Sequence, residues 1–164
     1  MSIPSPSSSE TSPAKPRVTT AKRYGVFVVE DHAITRMALT ALVNGEEDLY
    51  VCGEADSATD ALVRIAKLEP AAVIADITLR SGNGIELMQK LIVLCPGVPV
   101  LAISGHDENI FGERAMQAGA RGYLAKGAGA EKIVPAIRAI LRGELYPGDP
   151  ATPKPGSART NPIG

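Results

Sequence analysis

Between Tyr24 and Gly143 the chain alternates short apolar runs with stretches in which apolar residues recur every three or four positions. The runs YGVFVV (Tyr24 to Val29), LYVCGEA (Leu49 to Ala55), AAVIAD (Ala71 to Asp76), VPVLAIS (Val98 to Ser104) and GYLA (Gly122 to Ala125) are the strand candidates. The first, third and fourth are largely apolar, as strands covered on both faces must be. A helical pattern follows each run. Ile34, Met37, Ala38, Ala41 and Leu42 form one apolar stripe, Ala58, Ala61, Leu62, Ile65 and Leu68 a second, and Ile85, Leu87, Met88, Leu91 and Ile92 a third. The fourth helix, near Asn109 to Ala118, is short and weakly apolar, and the fifth carries Ile133, Ile137, Ile140 and Leu141. Pro135 falls inside that last pattern and predicts a kink or a late helix start, because proline has no amide donor for the preceding turn.

Alternation of five strands with five helices predicts an α/β fold, a doubly wound, five-stranded parallel sheet in flavodoxin-like order 2-1-3-4-5 with right-handed crossovers. Both ends differ from this middle. Residues 1–22 are rich in Ser and Pro and residues 145–164 in Pro and Gly, so neither buries enough apolar surface to offset the entropy of ordering. The expected organisation is a disordered N-terminal segment (1–22), one folded domain (23–144) and a disordered tail (145–164).

Seventeen basic residues against 18 acidic ones leave no global field that would draw the chain to nucleic acid or a membrane surface. The 21 residues after Gly143 hold only Lys154 and Arg159 as basic groups, so DNA binding is not expected within this chain. No apolar stretch is long enough to span a bilayer, and the N-terminus lacks the hydrophobic centre of a secretory signal, which predicts a cytoplasmic location. Cys52 and Cys95 lie far apart in apolar segments and are expected to be buried free thiols.

In a sheet of this kind ligands bind in the crevice at the carboxyl ends of the strands. Those ends carry Glu30 and Asp31, then Asp76, Ser104 and Lys126. Three carboxylates converging on one crevice repel one another unless protons or a cation neutralise them. Such oxygen ligands suit Mg2+, which takes one or two carboxylates and keeps its other positions for water and phosphate oxygens; Mn2+ is the natural substitute. The remaining groups suit phosphoryl transfer, in which positioning and charge neutralisation matter most. Asp76 can attack phosphorus to give an acyl phosphate, the Lys126 ammonium can neutralise one phosphoryl oxygen, and Ser104 can donate to another.

The segments VVEDH, VIADITL, LAISG and ARGYLAKG together resemble the receiver domain of two-component response regulators, over about 120 residues. The short helix before AGARGYLAKG and the ending IRAILRGELY are most similar to the nitrate-response subgroup. The resemblance implies that Asp76 is the phosphoacceptor, with Lys126 and Ser104 as its catalytic partners. It implies that Glu30, Asp31, Asp76 and the backbone carbonyl of Thr78 hold the metal. Ser104 and Tyr123 would form the switch, and Thr78 and His106 would tune the lifetime of the acyl phosphate. The implied donor is a histidine kinase or phosphotransfer protein. The implied output is a downstream protein or a homodimer bound through the surface of helix four, strand five and helix five.

Two positions depart from the family pattern. Arg80 stands four residues after the acceptor, where many receivers have Pro, so the loop is less stiff and carries an extra cation; Gly127 replaces a frequent Pro after Lys126. Taken singly, each residue also has a plainer reading. Glu30 and Asp31 could be a solvated helix start, Asp76 and Ser104 caps, Lys126 a surface charge and Tyr123 core, with His32 and His106 as loop residues rather than Mg2+ ligands. Their joint placement at strand ends favours a phosphorelay domain that phosphorylates and dephosphorylates itself and is otherwise not an enzyme. Two alternatives are a haloacid-dehalogenase-like aspartyl-phosphate phosphatase, which wants a second Asp where Thr78 stands, and a degenerate receiver used only as a docking module.

Overall fold

The computed structural model describes residues 2–5, 21–105 and 108–148, with Glu108 and Asn109 described by their backbone alone. Most of the two ends expected to be disordered lies outside these residues. Five parallel strands, β1 (Tyr24–Val29), β2 (Leu49–Ala55), β3 (Ala72–Asp76), β4 (Val100–Ser104) and β5 (Gly122–Ala125), form one sheet in the order β2-β1-β3-β4-β5. They alternate with α1 (Ala33–Asn44), α2 (Ala58–Leu68), α3 (Gly84–Leu94), α4 (Glu108–Gln117) and α5 (Ile133–Leu141). The predicted flavodoxin-like order is the observed one.

The strands lack polar alternation because both faces are covered. Val26, Val28, Ile74, Leu101, Ile103 and Leu124 point to one core, shared with Leu39 and Val43 of α1 and with Val134, Ile137 and Ile140 of α5. Phe27, Val29, Val73, Ala75, Ala102 and Tyr123 point to the other, shared with Ile65 of α2, Leu87, Met88 and Leu91 of α3 and Ala115 of α4. Burial on two sides holds β1, β3 and β4 rigidly, and their last residues inherit that rigidity.

Several expectations are adjusted by local physics. The fourth strand begins at Val100 rather than Val98, because the Val98 amide closes a turn on Cys95 O at 3.0 Å and Pro99 has no amide to offer. The two cysteines are free, but both are partly exposed rather than buried. Pro135 is the third residue of α5, following two short 3-10 turns, so the late start is the outcome and the proline sits where an amide is not needed. The chain also stays in the sheet past residue 144. Tyr146 donates its amide to Arg121 O at 2.9 Å and accepts from Tyr123 N at 2.8 Å, covering the outer edge of β5.

The largest correction concerns α1. Of its expected apolar stripe, Ile34, Met37, Ala38 and Ala41 are exposed, Leu42 packs only partly, and Leu39 and Val43 are buried instead. The inner side is shared with polar residues that tie the helix to the strand ends. Arg36 donates to the Glu30 carbonyl at 2.7 Å, and the Thr40 hydroxyl donates to the Glu54 carboxylate.

Loop β3–α3 folds tightly against the end of β3. Asn83 caps α3 by accepting from Ile85 N at 2.9 Å, and the Gly84 amide donates to Ile77 O at 3.1 Å. A Cβ on Gly84 would lie 2.1 Å from the Asp76 carbonyl oxygen and 2.7 Å from Ile77 Cα, so only glycine fits. At the opposite end of the sheet Arg138 of α5 clamps the α1–β2 loop, reaching Asp48 at 2.8 and 3.0 Å and Glu46 at 2.6 Å. The Arg138 contact holds the Asp48 carboxyl below the usual carboxylate range.

Gly84→Ala should destabilise the fold by about 1–3 kcal/mol, the cost of overpacking against immovable backbone. Urea unfolding measures this, and wild-type stability in the variant would show that the approach is looser than described. Arg138→Gln should cost about 0.5–1 kcal/mol at pH 7, a modest value because both partners are more than a third exposed and screened by water. Since the folded-state pKa of Asp48 is depressed, this contribution is complete above its unfolded value and fades as pH falls through the folded one. Unfolding at pH 7 and at about pH 3 should therefore show the difference between the two proteins shrinking in acid; an undiminished gap at low pH would assign it to packing.

Candidate functional site

The carboxyl ends of β1, β3, β4 and β5 bring Glu30, Asp31, Asp76, Ser104 and Lys126 into one crevice. Asp76 is the last residue of β3 and Ser104 the last of β4; both, with Glu30, are fully buried. The first residue after β5 is Lys126, whose ammonium lies 2.7 Å from Asp76 Oδ2 and 2.7 Å from Glu30 Oε2. The first contact is a well-directed hydrogen bond. The second is an ion pair at the same distance, so the one ammonium is shared by both carboxylates. Burial alone would lower the Lys126 pKa, but the bonds to Asp76 and Glu30 outweigh it and hold the group above its ordinary value. Lys126 is an ammonium throughout the physiological range.

Thr78 fixes the other side of the Asp76 carboxylate. Its amide donates to Asp76 Oδ1 at 2.9 Å and its hydroxyl does so at 3.2 Å. Asp31 is anchored from the β3–α3 loop, its Oδ2 accepting from the Arg80 amide at 2.8 Å. Burial tends to raise the Asp31 pKa, but the Arg80 amide and the nearby His32 ring turn the net shift downward, so the group is a carboxylate.

One ligand atom from each of Glu30, Asp31, His32 and Asp76 lies within 4.8 Å of the others. Asp31 Oδ1 is buried and receives no hydrogen bond. The imidazole Nδ1 3.0 Å away is directed instead at Glu30 Oε1, 3.2 Å from it. Three carboxylates share one ammonium, which leaves a formal charge of about −2 and carboxylate oxygens available for coordination. That donor set fits a small, hard divalent cation.

The sequence placed Tyr123 correctly on β5, and the structure buries its ring against α4, where a Cβ on Gly112 would come within 2.8 Å of it. His106 lies outside the described residues. Two neighbours of the acid cluster were not legible beforehand. His32, read as a plain loop residue, lies against Glu30 and Asp31, and Arg80 crosses from a loop 49 positions away to meet both Asp31 and His32. The signal for Arg80 was its departure from the family pattern; nothing in the sequence showed that its amide would hold a carboxylate.

Comparison with known proteins agrees with this geometry. Residues 26–138 match the family described as the response regulator receiver domain. The response regulator GacA of Pseudomonas aeruginosa is 38% identical over 121 residues, covering 74% of this chain and 56% of that protein. UvrY of Escherichia coli K12 is 31% identical over 121 residues, with the same coverage of 74% and 56%. The chain thus spans a little over half the length of these relatives. Among solved structures, a LuxR-family two-component response regulator from Aurantimonas superposes with a TM-score of 0.73 at 29% identity, covering 76% of this chain and 89% of that one. The NarL signal receiver domain from Mycobacterium tuberculosis gives 0.71 at 28% identity, covering 75% of this chain and 99% of that one. These neighbours agree with the subgroup suggested by the IRAILRGELY ending. With a family match across its folded core and the acidic crevice at the strand ends, the chain belongs to the receiver-domain family of two-component response regulators.

Proposed function

We propose that Asp76 accepts a phosphoryl group from a histidine kinase or phosphotransfer protein, in a cytoplasmic phosphorelay, and that the modified domain signals through the surface of α4, β5 and α5. The observation that carries this reading is a fully buried carboxylate, held by two donors of Thr78 on one oxygen and by the Lys126 ammonium on the other. An Asp oxygen so oriented bonds to phosphorus as the bond from phosphorus to the donor imidazole nitrogen breaks, and that nitrogen keeps the electron pair. Glu30, Asp31, Asp76 and the Thr78 carbonyl would hold Mg2+, or Mn2+ in its place, whose contribution is to neutralise phosphoryl charge. Lys126 is placed to shift its ammonium from the carboxylate to a phosphoryl oxygen, and Ser104 to donate to another. Thr78 and His106 would tune how long the acyl phosphate survives.

The exposed face of α1 supports a protein donor. Ile34 and Met37 are 84% and 71% exposed and follow the acid pair by only a few residues. An apolar patch on the rim of the crevice suits a histidine-bearing helix laid across it. Output would run through Tyr123, whose inward ring already contacts α4. Phosphorylation would shift the balance of states of that surface and so favour a downstream partner or a second copy. The phosphatase alternative is weakened by Thr78, which spends its amide and hydroxyl on Asp76 and offers no carboxyl as acid or base.

Incubation with a small acyl-phosphate donor and Mg2+ should add one phosphoryl group by mass to the wild type, labile in the manner of an acyl phosphate. Asp76→Asn, or chelation of the metal, should abolish it, and equal labelling of both proteins would remove Asp76 from the role. Lys126→Ala should retain slow labelling but lose the phosphorylation-dependent change in tyrosine near-UV circular dichroism; an intact spectral response would show that the ammonium does not couple the site to Tyr123.

A further inference from the structure

We propose that Arg80 is a positioning residue that lowers the affinity of the acidic cluster for a divalent cation while holding Asp31 in the geometry that binds one. The inference rests on the phosphoacceptor reading above. Arg80 acts through two separable groups. Its amide donates to Asp31 Oδ2 at 2.8 Å, tying the loop after β3 to the carboxylate after β1. With Oδ2 engaged, Asp31 Oδ1 is the oxygen left buried and without a hydrogen bond. Its guanidinium then lies over the same carboxylate, Nε 3.9 Å from Oδ2 and one Nη2 3.3 Å from His32 Nε2.

A guanidinium can only donate, so beside His32 Nε2 it adds a cationic donor over the acid cluster, whose Glu30 Oε1 lies 3.2 Å from the other ring nitrogen. The charge count follows. Glu30, Asp31 and Asp76 against Lys126 leave a formal −2, and a guanidinium at contact distance from Asp31 reduces the field available to an incoming dication. Proline, which many receivers carry at this position, supplies neither an amide donor nor a charge. The Arg80 side chain is 77% exposed, so it can swing away when a cation enters, and water screens its opposition. A unit charge opposing a dication at roughly 6 Å in water, reduced by salt and mobility, corresponds to about a three- to tenfold change in dissociation constant.

Mn2+ titration of the full chain, read by loss of the free-ion paramagnetic resonance signal, tests this directly. Arg80→Ala, which keeps the amide, should bind about three- to tenfold more tightly than wild type at low salt. The advantage should shrink toward unity in about 0.5 M salt, where screening acts over a few ångströms. Arg80→Lys should restore most of the wild-type affinity, and Asp31→Asn should lose binding. Equal or weaker binding by Arg80→Ala, or a ratio that ignores salt, overturns the proposal while leaving the phosphoacceptor reading intact. Absence of Mn2+ binding by the wild type overturns both.

Discussion

A single ammonium group, that of Lys126, lies 2.7 Å from each of two fully buried carboxylates, and the site depends on that sharing. Removing an ion from water costs several kcal/mol even after relaxation, so Glu30 and Asp76 can stand side by side only if a counter-charge reaches both. The strand order dictates which side chain can do it. β4 lies between β3 and β5, so a group leaving β5 must cross one intervening strand, about two spacings of 4.7–4.9 Å, to reach Asp76. Lysine is long enough. Its stem passes Gly105, where even an added Cβ would be 3.9 Å from Cδ. The sheet thus does chemical work by geometry. Doubly covered strands fix the two acids, and the permuted order sets the reach of the lysine.

The same order places the outward connections of the site. Tyr123 precedes Lys126 by three residues on β5, with its ring on α4 and its amide on Tyr146. A shift of Lys126 toward a phosphoryl oxygen would therefore pull on a strand that already touches the fourth helix on one side and the segment after the fifth on the other. Edge strands left open invite pairing with other chains. Tyr146 fills this edge, so association through the α4–β5–α5 surface would proceed by side chains rather than by added ladder hydrogen bonds.

The strand pattern was legible because strands covered on both faces have to be apolar along their whole length, a constraint visible in any such run. The positions of Asp76, Ser104 and Lys126 were legible for a related reason: a polar residue ending an apolar run marks the carboxyl end of a strand, where the crevice lies. The face of α1 was not. Ile34 and Met37 have the period of a buried stripe, but the inner side is taken by Leu39 and Val43 together with Arg36 and Thr40, which reach Glu30 and Glu54. Arg80 and Tyr146 were hidden because their partners are main-chain groups, Arg80 giving its amide to Asp31 and Tyr146 bonding Arg121 and Tyr123, and a backbone donor leaves no trace in residue type. Gly84 was hidden in a loop already rich in glycine, where the need for a missing Cβ is a matter of one carbonyl oxygen.

The orientation of α1 has an energetic implication. Burying a large aliphatic side chain is worth about 1.5–3 kcal/mol, and α1 takes that gain through Leu39 and Val43 while leaving Ile34 and Met37 outside. Turning the helix to bury Ile34 and Met37 would expose Leu39 and Val43 and withdraw Arg36 from the Glu30 carbonyl and Thr40 from Glu54. The observed orientation keeps both the burial of Leu39 and Val43 and the polar ties to Glu30 and Glu54. The apolar face left outside follows the acid pair along the chain, and its burial would be available to a partner that docks there. Binding energy at that face would be gained only in such a complex, and in the isolated domain it is absent.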